Sequence, residues 1–115
     1  MPHFIVDCSE DIIEINTPEE IMESIYEAAE STDLFADGDI KVRINPFKYF
    51  KLGPSKTNFI HVFGNIMEGR NIAQKADLSN RIITRLKSMF PNVPIISINI
   101  REFEKATYVN RSMIE

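Results

Sequence analysis

Asn58-Phe59-Ile60-His61-Val62-Phe63-Gly64-Asn65-Ile66-Met67 is the stretch on which the fold turns. Its β-branched and aromatic residues predict a strand, and that strand restarts a pattern the chain has already run once. Upstream, His3-Phe4-Ile5-Val6-Asp7-Cys8 predicts a first strand with Phe4, Val6 and Cys8 on one face. Thr17-Pro18-Glu19-Glu20 then marks a helix start, with Thr17 as cap, Pro18 at the first helical position and Glu20 reaching back as a capping box. Ile21, Ile25, Ala28 and Ala29 recur at helical spacing, so an amphipathic helix is expected to about Ser31. From Asp39 strict alternation returns, with Ile40, Val42 and Ile44 on one face and Lys41, Arg43 and Asn45 on the other. Downstream, the same order recurs. Asn71 to about Met89 reads as a helix with Ile72, Ala76, Ile83 and Leu86 inward, and Pro94 precedes a strand from Ile95 to Phe103.

Strand, helix, strand thus occurs twice, at an offset of about 55–57 residues. Such units form parallel strand pairs joined by right-handed crossovers, with the helices packed on the sheet. The predicted fold class is α/β (α+β): two βαβ repeats forming a four-stranded sheet with two helices on one face. One domain over residues 1–115 is expected, with halves of about 1–55 and 56–115, divided near the turn signal Gly53-Pro54-Ser55. Phe47-Lys48-Tyr49-Phe50 is expected to run on extended toward that turn. The other sheet face would carry Phe59, His61 and Phe63 beside Ser97 and Asn99, in part too apolar to stay wet, so other subunits are expected to cover it.

With 115 residues, 43% hydrophobic and 26% charged, the chain has the composition of a folded domain rather than a disordered one. A formal net charge of -4 argues against nucleic acid as a partner. The one cysteine, Cys8, fits a reducing compartment and alternates as a buried thiol would. With no signal-like segment and no apolar run of about 20 residues, a soluble cytoplasmic protein without membrane contact is expected.

Three features point to chemistry. If Met1 is removed, Pro2 becomes a terminal secondary amine at the start of a strand, and a neutral amine is a base. Proline at position two is common, so this alone is weak evidence. Arg70, in Gly69-Arg70-Asn71, lies where a strand ends and a helix begins, next to backbone N–H groups suited to a carboxylate or phosphate. The competing explanation is a solvated arginine at a mildly unfavourable end of the helix dipole. Lys41 and Arg43 share a face that can hold a second anionic group, although lysine on an edge strand also deters aggregation. His3 and His61 lack a third ligand at recognisable spacing, so no metal is expected, and no nucleotide-binding or serine-hydrolase motif occurs.

Met1-Pro2-His3-Phe4-Ile5-Val6-Asp7-Cys8-Ser9 resembles the opening of the 5-carboxymethyl-2-hydroxymuconate Δ-isomerases of the tautomerase superfamily. The likeness continues at residues 38–43, at Phe59-Ile60-His61-Val62 and at Gly69-Arg70. The resemblance implies a double βαβ subunit, a homotrimer with active sites at subunit contacts, no cofactor, Pro2 as acid/base, and Arg70 binding substrate or stabilising charge. It further implies isomerisation of a small di- or tricarboxylate in homoprotocatechuate breakdown, 5-carboxymethyl-2-hydroxymuconate first of all. Lys41 stands where the well-known member has arginine, while Arg43 is retained. Lysine keeps the charge but loses the bidentate fork. Alternatives are a tautomerase acting on phenylpyruvate or an oxalocrotonate-like acid, and a non-enzymatic trimeric binding protein on the same fold.

Overall fold

The computed structural model describes residues 1–54 and 57–114, so Ser55 of the predicted turn and the division between the halves lie outside the described residues. The elements in order are β1 (His3–Ser9), α1 (Ile12–Ile15), α2 (Pro18–Glu30), β2 (Lys41–Phe47), β3 (Phe59–Met67), α3 (Ile72–Met89), β4 (Ile95–Phe103) and a 3-10 turn at Arg111–Met113. The four strands form one sheet in the order β2-β1-β3-β4. Each βαβ repeat makes a parallel pair, β1 with β2 and β3 with β4, and the repeats join through antiparallel β1 and β3. This junction has a functional consequence. The start of β1 lies beside the end of β3, so the amino terminus and the Gly69-Arg70 corner fall at the same end of the sheet.

Alternation decides the two faces. Phe4, Val6 and Cys8 of β1 and Ile60, Val62 and Ile66 of β3 are fully buried on the helix side. They meet Ile21, Ile25, Ala28 and Ala29 of α2 and Leu78, Ile82 and Leu86 of α3, all buried. Each large aliphatic side chain so placed is worth roughly 1.5–3 kcal/mol relative to exposure. Gly64 sits opposite Phe4 in the central pair. A Cβ there would lie 2.7 Å from Ile100 Cδ1 and 3.2 Å from the Phe4 ring, so the missing side chain is what lets that ring cross the strand.

Both long helices start with a reciprocal cap. Thr17 Oγ1 accepts from Glu20 N at 3.2 Å while Glu20 Oε1 accepts from Thr17 N at 3.2 Å. Asn71 and Gln74 make the equivalent pair in α3, at 2.8 and 2.9 Å, a cap not anticipated from the sequence. The inward face of α3 also differs from expectation. Ile72 is 83% exposed, Ala76 is exposed and Ile83 is half-buried; of the four residues expected inward only Leu86 is buried. Two apolar stripes run along this helix, and contact with α2 and the sheet selects the one through Leu78, Ile82 and Leu86.

Two further departures are local. The extended run ends at Phe47 rather than passing through Phe50, with a bend at Lys48 and Tyr49. Ser9, which pairs with Phe47, is the last residue of β1, and the bond from Glu10 N to the Phe47 carbonyl at 2.9 Å closes the pairing there. The short helix α1 was not anticipated; it buries Ile12 and returns the chain toward α2.

Candidate active site

At the shared end of the sheet the chain starts under cover. Pro2 is buried on the same side as Phe4, and its carbonyl accepts a hydrogen bond from Lys41 N at 3.0 Å. The Met1 ammonium is 2.6 Å from the Asp39 carboxylate and also donates to the Asp39 carbonyl at 3.1 Å. Lys41 Nζ donates to that same carbonyl at 2.6 Å. Burial, opposed by the hydrogen bond to Asp39 and aided by the Lys41 charge, moves the ammonium below its ordinary value of 8.0. The hydrogen bond from the terminus in turn holds the Asp39 carboxyl below the usual carboxylate range.

The carboxy-terminal segment closes over this corner. Asn110 Nδ2 donates to Met1 Sδ at 3.6 Å, and Phe103 contacts both the His3 ring, at 6.0 Å between centroids, and Tyr108, at 5.3 Å. Glu68 ties the close of β3 to the close of β4, its N–H donating to the Phe103 carbonyl while its side chain accepts from Lys105 N.

Arg70 stands just before the cap of α3. Its guanidinium donates to the Met67 carbonyl at 3.2 Å and to the Leu34 carbonyl at 2.5 Å, and lies 5.1 Å from the centre of the Phe35 ring. Phe35 packs edge-on against Phe4, two residues from Pro2. Arg70 therefore lies on the helix side, at the end of the sheet where the chain begins.

Lys41 and Arg43 alternate to the opposite face and are both exposed on edge strand β2. Arg43 Nη1 lies 3.1 Å from His3 Nδ1. Burial first, then the charges of Arg43 and Lys41, lower the His3 pKa, which favours the neutral ring that can accept from the guanidinium. The structure thus sets Pro2, Lys41 and Arg70 at the same end of the sheet but on different faces: Pro2 and Arg70 on the helix side, Lys41 with Arg43 and His3 on the open face. That face also carries His61, whose ring nitrogens lie 2.6 Å from Ser97 Oγ and 2.7 Å from Asn99 Oδ1, and Phe63, beneath the Arg101 guanidinium.

Asp39, Phe35, Tyr108 and Asn110 were not singled out from the sequence; Asp39 had a usable signal in its place two residues before Lys41. Among the described residues no group of three or more His, Cys, Asp or Glu is arranged to hold a metal ion. Cys8 lies in the core, where burial pushes its thiol up to about 11. No helix among the described residues is long and apolar enough to cross a membrane.

A family model described as 5-carboxymethyl-2-hydroxymuconate isomerase matches residues 2–115. The chain belongs to this family. Membership in the 5-carboxymethyl-2-hydroxymuconate isomerases places it among the isomerases of the tautomerase superfamily. Comparison with curated sequences returned no match. Solved structures agree on the fold. A 5-carboxymethyl-2-hydroxymuconate isomerase from Deinococcus radiodurans R1 superposes with a TM-score of 0.83 at 21% identity, over 96% of this chain and 88% of that one. A 5-carboxymethyl-2-hydroxymuconate delta-isomerase gives 0.82 at 12% identity, over 96% and 87%. A fused 4-OT described as an asymmetric trimer gives 0.78 at 12% identity, over 95% and 92%.

Proposed function

We propose that the protein is a cofactor-independent isomerase that moves a proton within an unsaturated hydroxy or keto dicarboxylic acid, with 5-carboxymethyl-2-hydroxymuconate as substrate. Removal of Met1 converts the Pro2 amide into a secondary amine. The neutral amine takes a proton from one carbon and returns it to another, while Arg70 and Lys41 hold carboxylates and offset the charge of the dienolate that develops. Arg43, on the same open face as Lys41, adds positive potential. No covalent intermediate is needed.

The observation that carries this reading is the buried Pro2 at a strand start beside Lys41, with a half-buried Met1 ammonium whose pKa desolvation and the Lys41 charge lower against the opposing Asp39. Once Met1 is gone, burial of Pro2 and the positive charge of Lys41 favour the neutral amine that a base requires, against the Asp39 carboxylate. Net negative charge is no obstacle, because the local cations set the potential the substrate meets. Residues 1–115 act as one domain in a homotrimer. That assembly is supported by the half-apolar open face and by the trimeric description of the 4-OT neighbour.

The test is turnover of 5-carboxymethyl-2-hydroxymuconate by chain whose loss of Met1 has been verified by intact mass. Isomerisation is expected from the processed chain and none from chain that retains Met1. Equal turnover by both would sink the role of Pro2.

A further inference from the structure

A guanidinium offers five N–H donors in a rigid plane. In Arg70 two are taken by the backbone carbonyls of Met67 and Leu34, and the Phe35 ring covers one face. These partners are all neutral. Among the described residues Arg70 forms no ion pair with a carboxylate, so it is oriented without its charge being cancelled, and three N–H groups remain. Asp33, at a φ of +58, turns the chain just past α2 and precedes the carbonyl that faces Arg70. Phe35 is held in turn by its edge-on contact with Phe4, at 6.2 Å between centroids, and Phe4 is fully buried. A line of contacts therefore runs from the core through Phe4 and Phe35 to the guanidinium.

We infer that Phe35 is a positioning residue for Arg70: with the Leu34 carbonyl it clamps the guanidinium so that its remaining N–H groups face one carboxylate of the substrate. The inference rests on the substrate-binding role given to Arg70 above. Stacking on an aromatic face suits arginine, and a side chain ordered before binding need not be ordered by it. Loss of the clamp should therefore weaken binding roughly three- to tenfold.

The experiment is a double-mutant cycle of Phe35→Leu with Arg70→Ala, read as KM and kcat on 5-carboxymethyl-2-hydroxymuconate. Phe35→Leu is expected to raise KM three- to tenfold with kcat within about twofold. Phe35→Tyr, which keeps the stacking face, should restore the wild-type KM. Phe35→Leu should add nothing once Arg70 is alanine. An equal rise in both backgrounds would show Phe35 to be merely structural and overturn the clamp alone. An unchanged KM in Arg70→Ala would instead remove the substrate role of Arg70, and the clamp with it. The Arg70 Nε–H resonance of the wild-type protein gives a second readout that needs neither substrate nor variant. A ring-current-shifted, slowly rotating signal is expected, and a freely rotating signal at the shift of an exposed arginine would overturn the proposal.

Discussion

The two ends of the sheet do the same structural job with different residues. At one end Asn16, the residue before the cap of α2, donates its side-chain amide to the Met89 carbonyl at the close of α3. At the other, Arg70, the residue before the cap of α3, donates to the Leu34 carbonyl just past the close of α2. Each ties the entry of one long helix to the exit of the other. The strand starts pair off likewise. At one end buried Ser9 donates to Asn58 Oδ1 at 2.8 Å and accepts from Phe59 N at 3.1 Å, closing that corner with neutral hydrogen bonds. At the other, Met1, Asp39 and Lys41 are joined by charged contacts, and Arg70 lies at the same end of the sheet. Where asparagine completes a tie, arginine completes it and still has donors and charge to offer. Under the function proposed above, the length and charge of one side chain turn a structural position into a binding position.

The sharpest way to break this comparison is to mutate matching strand starts. Pro2→Ala is expected to cut kcat by ~10²–10⁴-fold, the contribution of a positioned general base. Asn58→Ala at the opposite end should leave kcat within about twofold and cost about 1 kcal/mol in denaturant melts for the lost hydrogen bond. Comparable activity losses in the two variants would erase the distinction between the ends. Next come the two ties. Arg70→Ala should lower kcat/KM by ~10²-fold or more, as expected for loss of a charged donor at the developing anion. Asn16→Ala should change stability only, by about 1 kcal/mol.

The helix caps are expected to behave alike. Thr17→Ala and Asn71→Ala should each destabilise by about 1 kcal/mol in thermal melts. A far larger cost for one would show that the two repeats are unequally stable. The smallest effect concerns His3. Its pKa is lowered in the folded state, so the unfolded chain binds the proton first as pH falls below its ordinary value of 6.5. Stability should therefore drop from about pH 7 downward until the lowered folded value is passed, and His3→Gln should flatten that slope in melts across the range.

Most of the fold was legible because its signals are local. Alternation in His3–Cys8 and Ile40–Ile44 marked the buried side of each strand, and Thr17-Pro18-Glu19-Glu20 marked a helix start. The candidate site was legible only in part. Pro2, Lys41, Arg43 and Arg70 stood out by residue type and place, yet nothing near Arg70 in the chain points to Leu34 or Phe35, which lie more than thirty residues away. The same limit explains α3, where Ile72 and Leu78 are equally apolar and only the approach of α2 and the sheet decides which is covered.

Periodicity and capping, then, are properties of neighbouring residues, and the sequence by itself determined the four strands and two long helices, their order and the inward face of β1, β3 and α2. The antiparallel joining of β1 to β3 was left to tertiary structure, as were the placing of the terminus and Arg70 at one end of the sheet and the contact of Arg43 with His3. These are contacts between distant parts of the chain, and their energies are settled only when the core closes and every buried polar group has found its partner.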